Sequence, residues 1–300
     1  MDITISSDGE TVVSGDNNGI IYFWNLYTGE KLQVLKAHSG YIYSLTNVPN
    51  SNLIISSGSD GIIKVWNIQN AELLHAYNMT GDRVYTLSVT PDGRKLVVGS
   101  SRKYYGYPDS VDKNFIRVFD IKNKKQLSVR MEYDDFTAMA ISPDGQHYVS
   151  GSRDYCIKIR DIVTHKLIKR IESHGYIHSL AFAPDGKCFV SGHGNSYHMA
   201  VLWDSHGEMI RTLIGHSDVV TSVSISHDNK KIITGSDDKT IKIWDLKDGS
   251  EQFTLTGHSN GVRTLVLTPD GKSIISGSVD GTIRLWNIEN GQEHVSFFDY

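Results

Sequence analysis

The 300-residue chain is 39% hydrophobic and 21% charged, a balance ordinary for a globular protein of one large or two medium domains. Its formal charge of -4 and pI near 6.3 argue against a nucleic-acid partner, which would show as a basic domain or stripe. No apolar window approaches the roughly 18 residues of a membrane span, and the opening residues lack the charged flank and apolar run of a signal peptide, so an intracellular, cytoplasmic or nuclear protein with no membrane partner is expected.

Five tryptophans set the frame: Trp24, Trp66, Trp203, Trp244 and Trp286 recur at a period of about 42 residues, with Phe119 and Arg160 filling the gap between the second and third. Read in chain order, the first unit starts abruptly. Its DITISSDG aligns on the turn Asp with SVSISHDN of the sixth unit, so Met1 enters partway along an inner strand. The second unit is regular. The third departs at GSSRKYYGYPDSVDKNFIRVFD, residues 99–120, where a turn elsewhere only a few residues long is stretched over roughly 102–114. The run Lys122, Lys124, Lys125 that follows reads as a solvated turn. Cys156 and Cys188, in apolar alternating runs without a CxxC pair, read as buried thiols rather than a disulfide or zinc site. The fifth unit swells its second turn to GHGNSYHM.

The sixth unit shows the internal order most clearly: an alternating strand VTSVSIS, a turn HDNK, a strand KIITGS, a tight turn DDK, a strand TIKIWDL, a turn KDGS and a strand EQFTL. QEHVSFFDY supplies a fourth strand to the last unit. Short strands with even Gly, Asp and Asn punctuation allow a sandwich, a barrel or a propeller, and the period selects the propeller. The expectation is one all-β domain over 1–300: a seven-bladed β-propeller of four-stranded antiparallel blades over 1–35, 36–77, 78–129, 130–171, 172–213, 214–255 and 256–300. By this count no N-terminal strand completes the last blade. Either the ring closes by packing of its ends, or upstream residues are missing; a domain excised from a longer protein is the favoured reading.

The units resemble the WD-repeat (β-transducin-like) family, with the Gly-His start at Gly215-His216 and Gly257-His258 and the Trp-Asp end at Trp203-Asp204 and Trp244-Asp245. Trp-Asn variants stand at Trp24-Asn25, Trp66-Asn67 and Trp286-Asn287, and the resemblance covers almost the whole chain.

Within the units His, Ser or Thr, and Asp recur with the Trp: His38, Ser56, Asp60 with Trp66; His216, Thr234, Asp238 with Trp244; His258, Ser276, Asp280 with Trp286. A nucleophile, base and orienter would use these residue types. Multiplicity opposes that reading, because a catalytic group needs one tuned pocket. The resemblance implies a hydrogen-bond chain from the turn Asp through His to the hydroxyl and the indole N–H, whose loss lowers stability. The first unit has Asn18 for the Asp. The third has TGD in place of the His loop, Val98 in the hydroxyl slot and Phe119 for Trp; the fourth has Glu132 in the His register and Arg160 for Trp. These two are expected to carry the weakest internal networks, and the fifth to use His174, Ser191 and Trp203.

The family resemblance also implies that the long third-unit turn lies on the narrow face around the channel mouth, with Tyr104, Tyr105 and Tyr107 at least half-exposed. It implies partner contacts at the residues three and five beyond the His and at the one before the turn Asp. These are Tyr41, Tyr43 and Ser59; Arg83 and Tyr85; Asp135, Thr137 and Arg153; Tyr176 and His178; Val219, Thr221 and Asp237; Gly261, Arg263 and Val279; and Asn17 alone in the first unit. Tyr and Arg carry most interface energy. The expected function is a non-catalytic, monomeric scaffold within a multiprotein complex, binding a protein or peptide, acidic or phosphorylated if the arginines converge, with no cofactor and no metal. The alternatives are a purely architectural domain, or a propeller enzyme for which His178, His193 and His198 form the one His cluster.

Overall fold

A computed structural model describes residues 2–79, 81–102, 113–132, 136–173 and 175–298. Among them, twenty-eight strands form seven four-stranded antiparallel sheets, each built from consecutive strands, and the one helical element is the 3-10 turn Asn195–Tyr197. The molecule is a seven-bladed β-propeller. Blade one runs from the inner strand Asp2–Ile5 to the outer strand Lys31–Lys36, blade three from Asp82–Val89 to Lys125–Glu132, and blade seven from Val262–Leu267 to Glu293–Phe298.

Burial follows from position in the blade. Second strands such as Ile274 and Ile275 in Ser273–Ser278 are covered on both faces by neighbouring blades, so they read as continuous apolar and small residues. Outer strands such as Lys31–Lys36 are open, and their residues are polar or mixed. Seven clusters of buried side chains occupy the seven interfaces between adjacent blades.

Among the described residues the ring closes without a shared strand. Ile3, Ile5 and Trp24 of blade one pack with Ile275, Leu285 and Phe297 of blade seven. The carboxylate of Asp2 accepts the backbone N–H of Leu45 in blade two at 2.7 Å and the Thr264 hydroxyl of blade seven at 3.2 Å. Elsewhere a hydroxyl fills the same role: Ser179 accepts from Val223 N at 3.1 Å and Ser222 from Leu265 N at 3.0 Å.

Close approach explains the glycine before the second turn. A Cβ on Gly151 would lie 2.2 Å from Ile177, and one on Gly277 would lie 2.5 Å from the Ile3 Cδ1. At Gly15, Gly151, Gly192, Gly235 and Gly277 the inner strand of the following blade seats a branched side chain on that bare backbone, whereas blade two has Ser57 there.

The long third-blade turn is shorter than the sequence reading placed it, because strands extend to Arg102 and resume at Lys113, with Arg102 paired to Lys113 and Ser101 to Asn114. Tyr104, Tyr105 and Tyr107 lie outside the described residues.

Gly277→Ala is expected to destabilise the protein by about 1–3 kcal/mol through overpacking, measured by urea unfolding. Adding Ile3→Val, which removes the clashing Cδ1, restores part of that loss.

Candidate functional site

Each complete blade contains one directed relay. A tryptophan nitrogen can only donate. Trp66 Nε1 donates to Ser56 Oγ at 2.8 Å, so the serine proton goes to His38 Nε2, also at 2.8 Å, and His38 Nδ1 donates to Asp60 at 3.0 Å. The same chain runs Trp244, Thr234, His216, Asp238 at 2.9, 2.8 and 2.8 Å, and Trp286, Ser276, His258, Asp280 at 2.8, 2.7 and 3.1 Å. The hydroxyls of Ser56, Thr234 and Ser276 are fully buried and capped by an indole, so none of these sets presents a nucleophile to a substrate. Burial lowers the pKa of His38 and His258, against the opposing pull of Asp60 and Asp280. Burial by itself would raise Asp280, but the Thr282 hydroxyl and N–H, the Ser259 N–H and His258 offset it and hold it at about 2.

The irregular blades are wired differently. In blade one, Trp24 donates to Ser14 at 2.9 Å, and Asp16 replaces the missing turn Asp by accepting the N–H groups of Asn18 and Ile20 at 2.8 and 2.7 Å. In blade five His174 lies outside the described residues; Ser191 joins Trp203 at 2.7 Å and His193 Nε2 at 2.6 Å. His193 thus belongs to this network, and no group of three metal-competent side chains occurs among the described residues.

Blades three and four differ from the sequence expectation of weak networks. Val98 and Phe119 make the relay slot apolar in blade three and join the adjoining cluster. Its polar links shift along the strands: buried Asp82 takes Arg117 at 2.6 Å and Arg102 at 2.5 Å, and Arg117 lies over Phe115 and bonds Ser100. In blade four, Glu132 takes Arg160 at 2.9 Å and Arg130 at 2.5 Å, so one ion pair spans the path of the relay. The sequence gives no charge pattern that reveals Asp82 and Arg117 as a pair, since they stand 35 residues apart.

The relay also defines a face. His38 lies in the loop between blades and Asp60 in the second turn, so their bond brings both loops to one end of the molecule, here the turn face. Ser59 N donates to the Tyr41 carbonyl at 2.8 Å beside it. Two groupings form on this face. Tyr43 and Tyr85 meet across blades two and three with ring centroids 5.2 Å apart, and Tyr41 is 53% exposed. Burial first, then Tyr85 and Tyr41, raise the Tyr43 pKa, while Arg83 lowers it, which places these four side chains in one field.

The second grouping joins blades four and five. Tyr176 stacks on Tyr155 with centroids 5.1 Å apart and planes inclined by 11°. Tyr155, absent from the sequence-derived set, adopts φ 64° at the turn position filled by Gly19, Gly61 and Gly281 in other blades. A bulky residue in that region is a strained outlier. Exposed Arg153 and His178 flank the pair. Partial desolvation, Arg153 and Arg263 lower the His178 pKa, and Asp237 opposes them. Arg263 pairs with Asp237 at 3.2 Å, so Arg153 is the cation of this group not tied to that aspartate. Between blades seven and one a cavity of about 480 Å³ is lined by Asn17, Arg263 and Val279. Thr221 turns its hydroxyl to the Gly235 carbonyl at 3.1 Å and to Val262 of the next blade, and Thr137 likewise to Gly151 and Ile177; both act as links between blades. Asp135 lies outside the described residues.

Six segments, 1–25, 29–67, 126–161, 165–204, 207–245 and 249–287, match the model of the WD domain, G-beta repeat. The chain belongs to the WD-repeat family. Its third blade, between the second and third matched segments, is the divergent one. Among curated relatives, WD repeat-containing protein SL1-17 of Schistosoma mansoni is 31% identical over 116 residues, 38% of each chain. Ribosome biogenesis protein YTM1 of Pyricularia oryzae is 31% identical over 37% of this chain and 24% of its own, and protein groucho of Drosophila melanogaster 29% identical over 46% and 20%. The matches thus span well under half the length of these relatives.

Because His38 and His258 are held neutral, they bind fewer protons folded than unfolded. The stability they contribute is complete above the ordinary pKa of 6.5 and falls as the pH drops below it. Asp280 adds a second loss between 3.8 and about 2. Calorimetry across pH 8 to 3 is expected to show a level melting temperature above 6.5, then a progressive fall that is smaller in a His258→Gln variant.

Proposed function

We propose that this WD-repeat propeller is a non-catalytic interaction module, a monomeric domain of an intracellular multiprotein complex, that docks a peptide or partner domain on its turn face. The observation that carries this reading is the stacked Tyr155–Tyr176 pair, with an exposed tyrosine in the left-handed backbone that blades one, two and seven give to glycine and blade six to Lys239. Backbone strain at an exposed aromatic is unfavourable for folding and marks a position shaped by something other than stability. Stiff aromatic area beside a cation is the composition of an interface anchor.

The flanking groups set the ligand chemistry. Arg153 and His178 beside two tyrosines suit a segment with a carboxylate or phosphate next to an apolar side chain. The Tyr43–Tyr85 pair extends the surface to blade three, beside the long turn.

Tyr155→Gly separates recognition from folding, since glycine accepts the left-handed backbone. The variant is expected to keep or raise the melting temperature and to lose specific partners in capture from source-cell lysate, and phosphatase treatment of the captured partner is expected to weaken it further. A partner set unchanged by Tyr155→Gly and by Tyr43→Ala with Tyr85→Ala overturns the reading.

A further inference from the structure

The face opposite the turn face carries a cleft between blades two and three of about 480 Å³. Val48, Leu53, Val65 and Ile121 give it aliphatic walls, and its charged lining is Lys122 and Lys124, exposed residues of the lysine-rich turn, together with Asp92, whose carboxylate accepts the Arg94 N–H at 3.0 Å and pairs with the Arg94 guanidinium at 3.9 Å. Tyr77, from the outer strand Glu72–Asn78, lines the same cleft. Its ring is 6% exposed and is held by Phe119 at 4.7 Å and by the edge-on ring of His75 at 4.4 Å.

The Tyr77 hydroxyl is buried, and among the described residues no protein group hydrogen-bonds it. Burial first, then Asp120, raise its pKa, so it is a protonated donor. A buried donor left unmade is unfavourable and uncommon. The contrast with Tyr148 is direct: that equally enclosed phenol is joined to His165 Nδ1 at 3.1 Å. The corresponding cleft between blades four and five, about 660 Å³, is lined by Ile159 and Phe182 with Asp144, Asp185, His147 and Lys169, and holds no such hydroxyl among the described residues.

We infer that the cleft between blades two and three binds a small amphiphilic carboxylate, its apolar body on Val48, Leu53, Val65 and Ile121 and its carboxylate between the Tyr77 hydroxyl and the ammonium groups of Lys122 and Lys124. The volume lies within the range of small-molecule sites, about 300–1,000 Å³. The carboxylate supplies both an acceptor for the phenol and the counter-charge for the lysines, a combination that a neutral or cationic apolar ligand lacks. Because the hydroxyl is shielded, an acceptor reaches it only when a lining side chain turns aside. This site is independent of recognition on the turn face.

The probe is octanoate, titrated below its micellar range into the full chain at low salt and followed by amide chemical-shift mapping, with octanol and octylamine as comparators. Saturable shifts are expected at 48–53, 74–77, 92–93 and 121–124, with octanol weaker and octylamine without effect. Tyr77→Phe is expected to raise the melting temperature of the free protein while weakening octanoate roughly tenfold, the loss of one charge-assisted hydrogen bond. Lys122→Gln with Lys124→Gln is expected to weaken binding and flatten its salt dependence. The proposal falls if octanoate causes no saturable shift in this cleft, if octylamine binds as well, if Tyr77→Phe binds octanoate equally, or if Tyr77→Phe lowers the melting temperature of the free protein.

Discussion

The relay from an indole N–H through a hydroxyl and an imidazole to a turn carboxylate is the interaction on which the rest of this propeller depends. Its direction is forced, because the indole can only donate and the carboxylate can only accept. It joins the third strand to the second, the second to the loop between blades, and that loop to the second turn. A single proton path thereby converts core packing into a fixed loop position on the turn face. Tyr41 and Tyr43 stand three and five positions beyond the imidazole that anchors their loop.

Blades three and four hold together after losing the relay, each by a different substitution. Replacing both partners of a buried hydrogen bond by apolar groups can be nearly neutral, whereas removing one is not. Blade three changes both, to Val98 and Phe119, and blade four exchanges the His and Trp for Glu132 and Arg160 while Ser150 and Asp154 keep their places. The buried ion pairs tie the entry of each blade to its strands, Asp82 to Arg102 and Arg117 and Glu132 to Arg160. Buried pairs add little net stability over apolar packing, yet breaking one leaves an uncompensated charge, so they fix geometry more than they add energy. The divergent blade three borders both the long turn and the cleft around Tyr77.

Much of this was legible in the sequence. The tryptophan period and turn punctuation report the blade count because every blade repeats one packing problem, and the His, hydroxyl, Asp and Trp offsets mark the members of the relay, whose role the family resemblance implies. The features that escaped the sequence depend on contacts between distant units or on backbone state. Asp82 and Arg117 meet across the sheet; Arg117 stands at a position where Lys64, Lys158, Lys242 and Arg284 also place a cation, and nothing in the repeat marks Asp82 as its partner. Tyr155 looks like an ordinary turn residue until its left-handed backbone and its stacking on Tyr176 are seen. His193 reads in the sequence as one member of a cluster with His178 and His198, and only three-dimensional proximity puts its Nε2 on Ser191.

The most direct test of the central claim, that ion pairs hold blades three and four as the relay holds the others, is native-state hydrogen exchange on the outer and third-strand amides of every blade. If the ion pairs substitute for the relay, the amides of Lys113–Asp120 and Cys156–Asp161 open with free energies comparable to those of Ile62–Asn67, Ile241–Asp245 and Thr282–Asn287. Exchange from blades three and four at distinctly lower opening free energy, as an independent and weaker unit, contradicts it.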